Sequence, residues 1–432
     1  MKRKIYDRLL RWKNSKDRKP LILLGARQVG KTWIMRHFGD CEYEKVLYVN
    51  CDDEPRIGQL FDLDYDIGRI LTALQAITGI KATPADTLII LDEIQEVPRG
   101  LHSLKYFCEK APEYHVMVAG SLLGVTLGRG ESFPVGKVDM LHMYPMDYME
   151  FLLATGHEGW ADLLRSCDWT LLDAMLPKLV ELLRQYYFVG GMPGVVSQYI
   201  QNGDLQQVRT LQHDILEAYG RDISKHTSVV ESVRIRQVLA SLPVQLAREN
   251  KKFIYGAVRK GSRANDFELA IQWLVDAGIV HKVNRIKEPR VPLKFYEDFD
   301  AFKLFLLDCG LLACMADAPA DQMLIGDNVF VEFKGAFTEQ YVMQQLLSLG
   351  FTPYYWSNSR TPSEIDFVIQ HESRVIPIEV KAEVNVRARS LAQFIKDNPG
   401  LKGLRISMRG YADQQWMENI PLVAVEAFLS RM

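Results

Sequence analysis

The chain has 432 residues, 48% of them hydrophobic and 25% charged, which is ordinary globular composition and excludes a disordered or low-complexity chain. Lys and Arg total 52 against 54 Asp and Glu, a net charge of -2, so the overall balance points to neither nucleic acid nor a membrane, and any such partner has to be argued from local charge. Six cysteines (Cys41, Cys51, Cys108, Cys167, Cys309 and Cys314) form no C-x-x-C pair and have no His cluster beside them, which reads as reduced thiols and not as a zinc site or a disulfide framework. Asp7, Arg8 and Arg11 interrupt the basic N-terminus before any apolar stretch develops, and no window reaches bilayer length. A soluble cytoplasmic protein with no membrane partner is expected.

Ile5, Leu9, Leu10 and Trp12 predict a short amphipathic helix. Short all-apolar runs follow at 21–24, 46–49, 88–91 and 116–119, with a last strand at 138–144 and helical segments such as 67–77 and 100–110 between them. Strands without a polar face belong to a parallel sheet covered on both sides, so the fold class is α/β with a doubly wound core over residues 1–145. Residues 146–231 read as helices, broken once at Gly190-Gly191-Met192-Pro193-Gly194. Helices then give way to short strands at 279–285, 294–297 and 302–307, and the last section is a helix followed by strands.

Gly25-Ala26-Arg27-Gln28-Val29-Gly30-Lys31-Thr32 matches G-x-x-x-x-G-K-[ST] in full, after a buried strand and before a helix that opens at Trp33. The glycines let successive N–H groups converge on phosphate oxygens, and the helix N-terminus adds its positive end. Lys31 is expected to reach the β- and γ-phosphates of ATP, and Thr32 to offer its hydroxyl to Mg²⁺. Leu88-Ile89-Ile90-Leu91-Asp92-Glu93 supplies the second half: Asp92 to hold Mg²⁺ through its water shell, Glu93 to orient and polarise the attacking water. Between these segments Val49-Asn50-Cys51-Asp52-Asp53 closes another predicted strand. This arrangement resembles the additional-strand division of P-loop NTPases, which includes the AAA-type ATPases. The resemblance implies a γ-phosphate-sensing role for Ser121, after the strand that ends Val118-Ala119-Gly120.

Further motifs extend the likeness: Ser132-Phe133-Pro134-Val135-Gly136-Lys137-Val138, Tyr144-Pro145, Gly190-Gly191-Met192-Pro193, Arg221-Asp222, and Phe302-Lys303-Leu304-Phe305-Leu306-Leu307-Asp308-Cys309-Gly310-Leu311-Leu312. Together they resemble a bacterial and archaeal AAA-type ATPase family with a C-terminal domain of unknown function. The resemblance implies ATP binding and an AAA core with a helical lid, and little about physiological substrate. Gly136-Lys137 stands where related ATPases show Gly-Arg, and Lys is the poorer bidentate phosphate ligand. Arg129 and Arg221 are the alternatives for an arginine finger, and a homo-oligomer remains an open expectation.

Residues 232–296 hold thirteen Lys and Arg against five acids, a local excess of +8. Helix-spaced apolar residues at Val233, Val238, Leu242 and Leu246, then at Phe267, Ala270, Trp273 and Leu274, suit a winged-helix module over 232–320, with strands 279–285 and 294–297 holding a basic wing at Lys287 and Arg290. Nucleic acid, DNA first, is the partner expected there. Phe253, Tyr255 and Trp273 read as core residues.

Over 321–432, Glu364-Ile365-Asp366 and Glu379-Val380-Lys381 predict a hairpin with Glu379 and Lys381 on one face, and Glu339 lies on a preceding helix. The ordered set resembles the PD-(D/E)xK nuclease superfamily, a restriction-endonuclease-like fold. That resemblance implies Asp366, Glu379 and Glu339 as ligands of a second Mg²⁺, Lys381 as the catalytic lysine, and Gln393 as a polar residue beside them. The expected function is Mg²⁺-dependent ATP hydrolysis coupled to a nucleic-acid transaction. The alternatives are a STAND-like ATP switch with protein partners and an ATP-gated, metal-dependent nuclease.

Overall fold

The four apolar residues of β1 (Leu21–Leu24) are buried on both faces, and they sit inside a parallel sheet. The computed structural model describes residues 1–120, 125, 134–248, 251–324, 331–358, 363–382 and 388–432, with backbone only for 331–334. Beside β1 the sheet contains β2 (Lys45–Asn50), β3 (Thr87–Asp92), β4 (His115–Ala119) and β5 (Asp139–His142), in the order β2-β3-β4-β1-β5. All pairings are parallel. Every residue of β3 and β4 is buried, as their all-apolar runs require, whereas β2 alternates, as an edge strand does. The strand between β1 and β3 is therefore β4. The 46–49 segment precedes β3 in the chain but lies at the sheet edge, because crossover handedness and helix cover, not chain order, set lateral position.

The chain divides into two units: Lys2–Tyr144 with the short segment Asp276–Ile279, and Pro145–Val275 with Val280–Met432 and Met1. The second unit opens with helices including Trp169–Val189, Leu205–His226 and Val229–Leu246. Its eight-stranded sheet runs β12-β13-β11-β10-β9-β8-β6-β7. The strands are β6 (Val280–Ile286), β7 (Glu297–Leu306), β8 (Tyr354–Ser357), β9 (Glu364–His371), β10 (Arg374–Lys381), β11 (Gly403–Ser407), β12 (Ala412–Gln414) and β13 (Met417–Pro421).

The strands expected to hold the wing are placed differently from the expectation. The three expected helices form (Val229–Leu246, Tyr255–Val258 and Ala264–Asp276), but 293–296 is a 3-10 turn and not a strand. β6 pairs antiparallel with β7 and parallel with β8, so both strands extend the C-terminal sheet. An isolated two-stranded hairpin is marginal in water, and pairing with β8 completes it.

Two of the quoted motifs meet at one buried carboxylate. Asp308 accepts N–H bonds from Gly191 at 2.6 Å and Leu311 at 2.9 Å, capping the helix Cys309–Met315. Met146 N–H donates to Gly191 O at 2.7 Å, and a Cβ on Gly191 would stand 2.0 Å from Met146 O, so only glycine fits. Burial pushes Asp308 up to about 6, with the N–H donors from Gly191, Leu311 and Gly310 opposing it. Asp308→Ala leaves buried donors unmet and is expected to lower stability by about 3 kcal/mol, read as a reduced urea midpoint with an unchanged slope.

Candidate functional site

The phosphate loop is folded for anion binding. Gly25 and Gly30 adopt φ of 148° and 96°, and Gln28 sits at 67°. A Cβ on Gly25 would meet Met143 O at 2.3 Å, which explains the first glycine of the motif. Gly30 starts the helix Lys31–Glu42, whose first N–H groups face the loop. Lys31 is buried, and its Nζ donates to Gly25 O and Ala26 O at 2.8 Å. Burial lowers Lys31 to about 8 against the opposing pull of Glu93 and Asp92. A phosphate oxygen offers this ammonium a stronger, charge-assisted acceptor than the two carbonyls.

Asp92 is buried at the end of β3, and Thr32 Oγ1 donates to its Oδ2 at 2.6 Å. A hydroxyl and a carboxylate converging at a phosphate loop are the hard oxygen donors that Mg²⁺ takes, so the residues present fit that ion. Glu93 follows in the left-handed region at φ 50°, uncommon for a residue with a Cβ, and Gln95 Nε2 donates to its Oε2 at 2.7 Å. Trp33 is half exposed and stacks on His37 at 4.7 Å, while Arg27 is exposed. Ser121 lies outside the described residues, as does Arg129. Lys137 pairs with Glu109 at 3.0 Å and Arg221 with Glu217 at 3.0 Å, both exposed ion pairs.

Two functional partners were not legible in the sequence. Tyr48 on β2 donates to the same Asp92 Oδ2 at 3.1 Å, and Arg36 lies 4.9 Å over its ring. Burial and then the Asp92 charge push Tyr48 up to about 12, so the phenol stays a donor. Arg3 is buried and donates to Val29 O at 3.1 Å and Tyr144 O at 2.7 Å, tying the loop to the segment after β5. A tyrosine on a strand and an arginine in a basic N-terminus carry no motif; only strand pairing and helix packing reveal them.

The C-terminal residues are placed as expected on their elements: Glu339 on the helix Val331–Ser348, Asp366 on β9, Glu379 and Lys381 on β10. Their partners differ from a metal site. Glu339 Oε1 receives Lys251 Nζ at 2.5 Å and Glu379 Oε1 pairs with Lys381 at 2.9 Å. Asp366 Oδ2 accepts the Val380 N–H at 2.7 Å. Burial and then the Glu339 charge push Asp366 up to about 7. Gln393 turns to Asp397 on an exposed helix face. Among the described residues no three His, Cys, Asp or Glu side chains group so as to hold a metal.

Comparison with known proteins fits the first unit to a class, the P-loop ATPases. Residues 17–152 match the family model described as an AAA domain, so the chain carries an AAA-type P-loop ATPase domain. Residues 180–322 and 334–427 match two further models, each described as a domain of unknown function (DUF8612 and DUF4143). No curated protein sequence matches the chain. Among solved structures, the Walker-type ATPase PABY2304 of Pyrococcus abyssi is similar at 16% identity and TM-score 0.47, over 73% of this chain and 95% of that one. The ORC2 protein of Aeropyrum pernix in its ADPNP-ADP complexes is similar at 15% identity and TM-score 0.32, over 74% of this chain and 89% of that one. The ORC1 protein of the same organism in complex with DNA gives 14% identity and TM-score 0.26, over 74% and 92%. Among the described residues no helix is long and apolar enough to cross a membrane.

Two expectations follow. Lys31 binds phosphate as the ammonium, and its value in the free protein is lowered to about 8. ATP affinity is therefore full below pH 8 and falls as pH rises through 8, approaching tenfold per unit; Lys31→Arg flattens this limb in an equilibrium titration. Tyr48→Phe keeps the ring beside Arg36 but removes a donor from Asp92. It raises the Mg²⁺ concentration for half-maximal hydrolysis roughly tenfold, with little change in the rate at saturating Mg²⁺.

Proposed function

We propose that the protein is a cytoplasmic Mg²⁺-dependent ATPase that couples hydrolysis to nucleic-acid binding, duplex DNA first. The observation that carries the ATPase half is the convergence of Lys31, Thr32, Asp92 and Glu93 at the carboxyl ends of β1 and β3, where Thr32 bonds Asp92 and the charges of Glu93 and Asp92 act on Lys31. In this reading Lys31 and the loop N–H groups hold the phosphates, while Thr32 and Asp92 hold Mg²⁺, which supplies charge stabilisation at the transferring phosphoryl group. Glu93, oriented by Gln95, accepts a proton from the attacking water, and Ser121 senses the γ-phosphate.

The nucleic-acid half rests on local charge. Lys251 and Arg285 are engaged internally, with Glu339 and Asp298. Arg259, Lys260, Arg263, Lys282, Lys287, Arg290 and Lys294 are exposed, which suits phosphate contacts. Phe253 and Trp273 are buried, so these two are not base-stacking platforms. A second reading, an ATP switch that recruits a protein, is favoured by Phe295 and Phe299, which are 83% and 71% exposed.

The test is the steady-state hydrolysis rate with and without duplex DNA, beside Glu93→Gln. DNA is expected to raise a rate that the variant loses by roughly a hundredfold or more, with binding that weakens steeply as salt rises. A rate indifferent to DNA removes the coupling and leaves the protein-switch reading.

A further inference from the structure

Lys303 is an anomaly in the second unit. It lies on β7 within a run of apolar neighbours, and its side chain is fully buried. Its Nζ stands 2.5 Å from Glu364 Oε1 and 3.6 Å from Glu339 Oε2, and 5.0 Å over the Tyr355 ring. A buried ammonium is tolerated only when paired, and here two acids from different elements pair with it. Lys251, itself buried, closes on the other oxygen of Glu339 at 2.5 Å.

The superfamily resemblance implies a divalent ion among Glu339, Asp366 and Glu379, and the donor set does not fit one. Mg²⁺ needs several oxygens turned to a common point. Both oxygens of Glu339 face lysines, one oxygen of Asp366 is held by the Val380 N–H, and Glu379 pairs Oε1 with Lys381, which leaves its buried Oε2 as a lone oxygen and not as part of a converging set. A divalent cation entering here would also meet a fully buried ammonium on β7. We propose that Lys303 and Lys251 are built-in cations that take the place of a divalent metal, so that this carboxylate cluster is a metal-independent centre and not a nuclease site. The lysines contribute the charge compensation that lets the acids stay buried, and they supply no vacant coordination position for a hydroxide nucleophile. The inference is independent of the ATPase reading, because no residue of the phosphate loop enters it.

The experiment is Mn²⁺ binding to the full chain, followed by electron paramagnetic resonance, in a Lys31→Ala, Asp92→Asn background that removes the phosphate-loop site. The lysine-intact protein is expected to take up no stoichiometric Mn²⁺. Lys303→Gln is expected to gain one Mn²⁺ site, tighter by at least tenfold than any residual binding, that disappears on adding Asp366→Asn. Lys251→Gln, nearer the surface, is the second variant and is expected to gain the same site more weakly; it carries the test where thermal unfolding shows that Lys303→Gln has not folded. Stoichiometric Mn²⁺ on the lysine-intact protein that is lost with Asp366→Asn overturns the proposal. So does a folded lysine variant that gains no site, or Mg²⁺-dependent DNA cleavage by the unsubstituted chain that Lys381→Ala abolishes.

Discussion

The 2.6 Å contact between Thr32 Oγ1 and Asp92 Oδ2 is the constraint around which the first unit is organised. It exists because β4 separates β1 from β3 by one strand width, with all three parallel and in register, so a loop leaving β1 and an acid ending β3 open at the same edge. Ligand sites in open α/β sheets form at the carboxyl ends of the strands for this reason. Three further features surround that juxtaposition: the buried Lys31, Tyr48 bonding Asp92 from β2, and the left-handed backbone of Glu93 immediately beyond Asp92.

The second unit has a comparable anchor in Asp308. The Gly-Gly-Met-Pro and Asp-Cys-Gly motifs and the segment after Tyr144-Pro145 are far apart in the chain, yet they share one set of backbone contacts. Their residue types follow from packing: glycine where backbone approaches backbone, and aspartate where N–H groups of two segments converge. Such motifs identify a family without carrying its chemistry, and that is why a likeness built on them says little about substrate.

The C-terminal sheet shows how the same residue pattern can serve two ends. A Glu-x-Lys pair beside an Asp and a helical Glu is compatible with a metal centre, and equally with a buried ion network. What separates them is the identity of the neighbours on strands and helices that the pattern does not include, here Lys303 and Lys251. β7, the strand carrying Lys303, joins this sheet only because β6 pairs with β8.

By itself the sequence determined the strands of the first sheet, the phosphate loop and its acidic partner, the helical character of the segment after 146, and the burial of Phe253 and Trp273, though not of Tyr255, which is only partly buried. Those are short-range properties, set by all-apolar runs, glycine spacing and helical periodicity within a few residues. Only the tertiary structure decided that β4 and not β2 lies between β1 and β3, that the hairpin flanking Lys287 and Arg290 is β6 with β7 and extends the C-terminal sheet, and that Tyr48, Arg3 and Lys303 attach themselves to distant groups. Lateral strand order and the company of a buried charge depend on which surfaces pack together across long stretches of chain, and local pattern does not encode that choice.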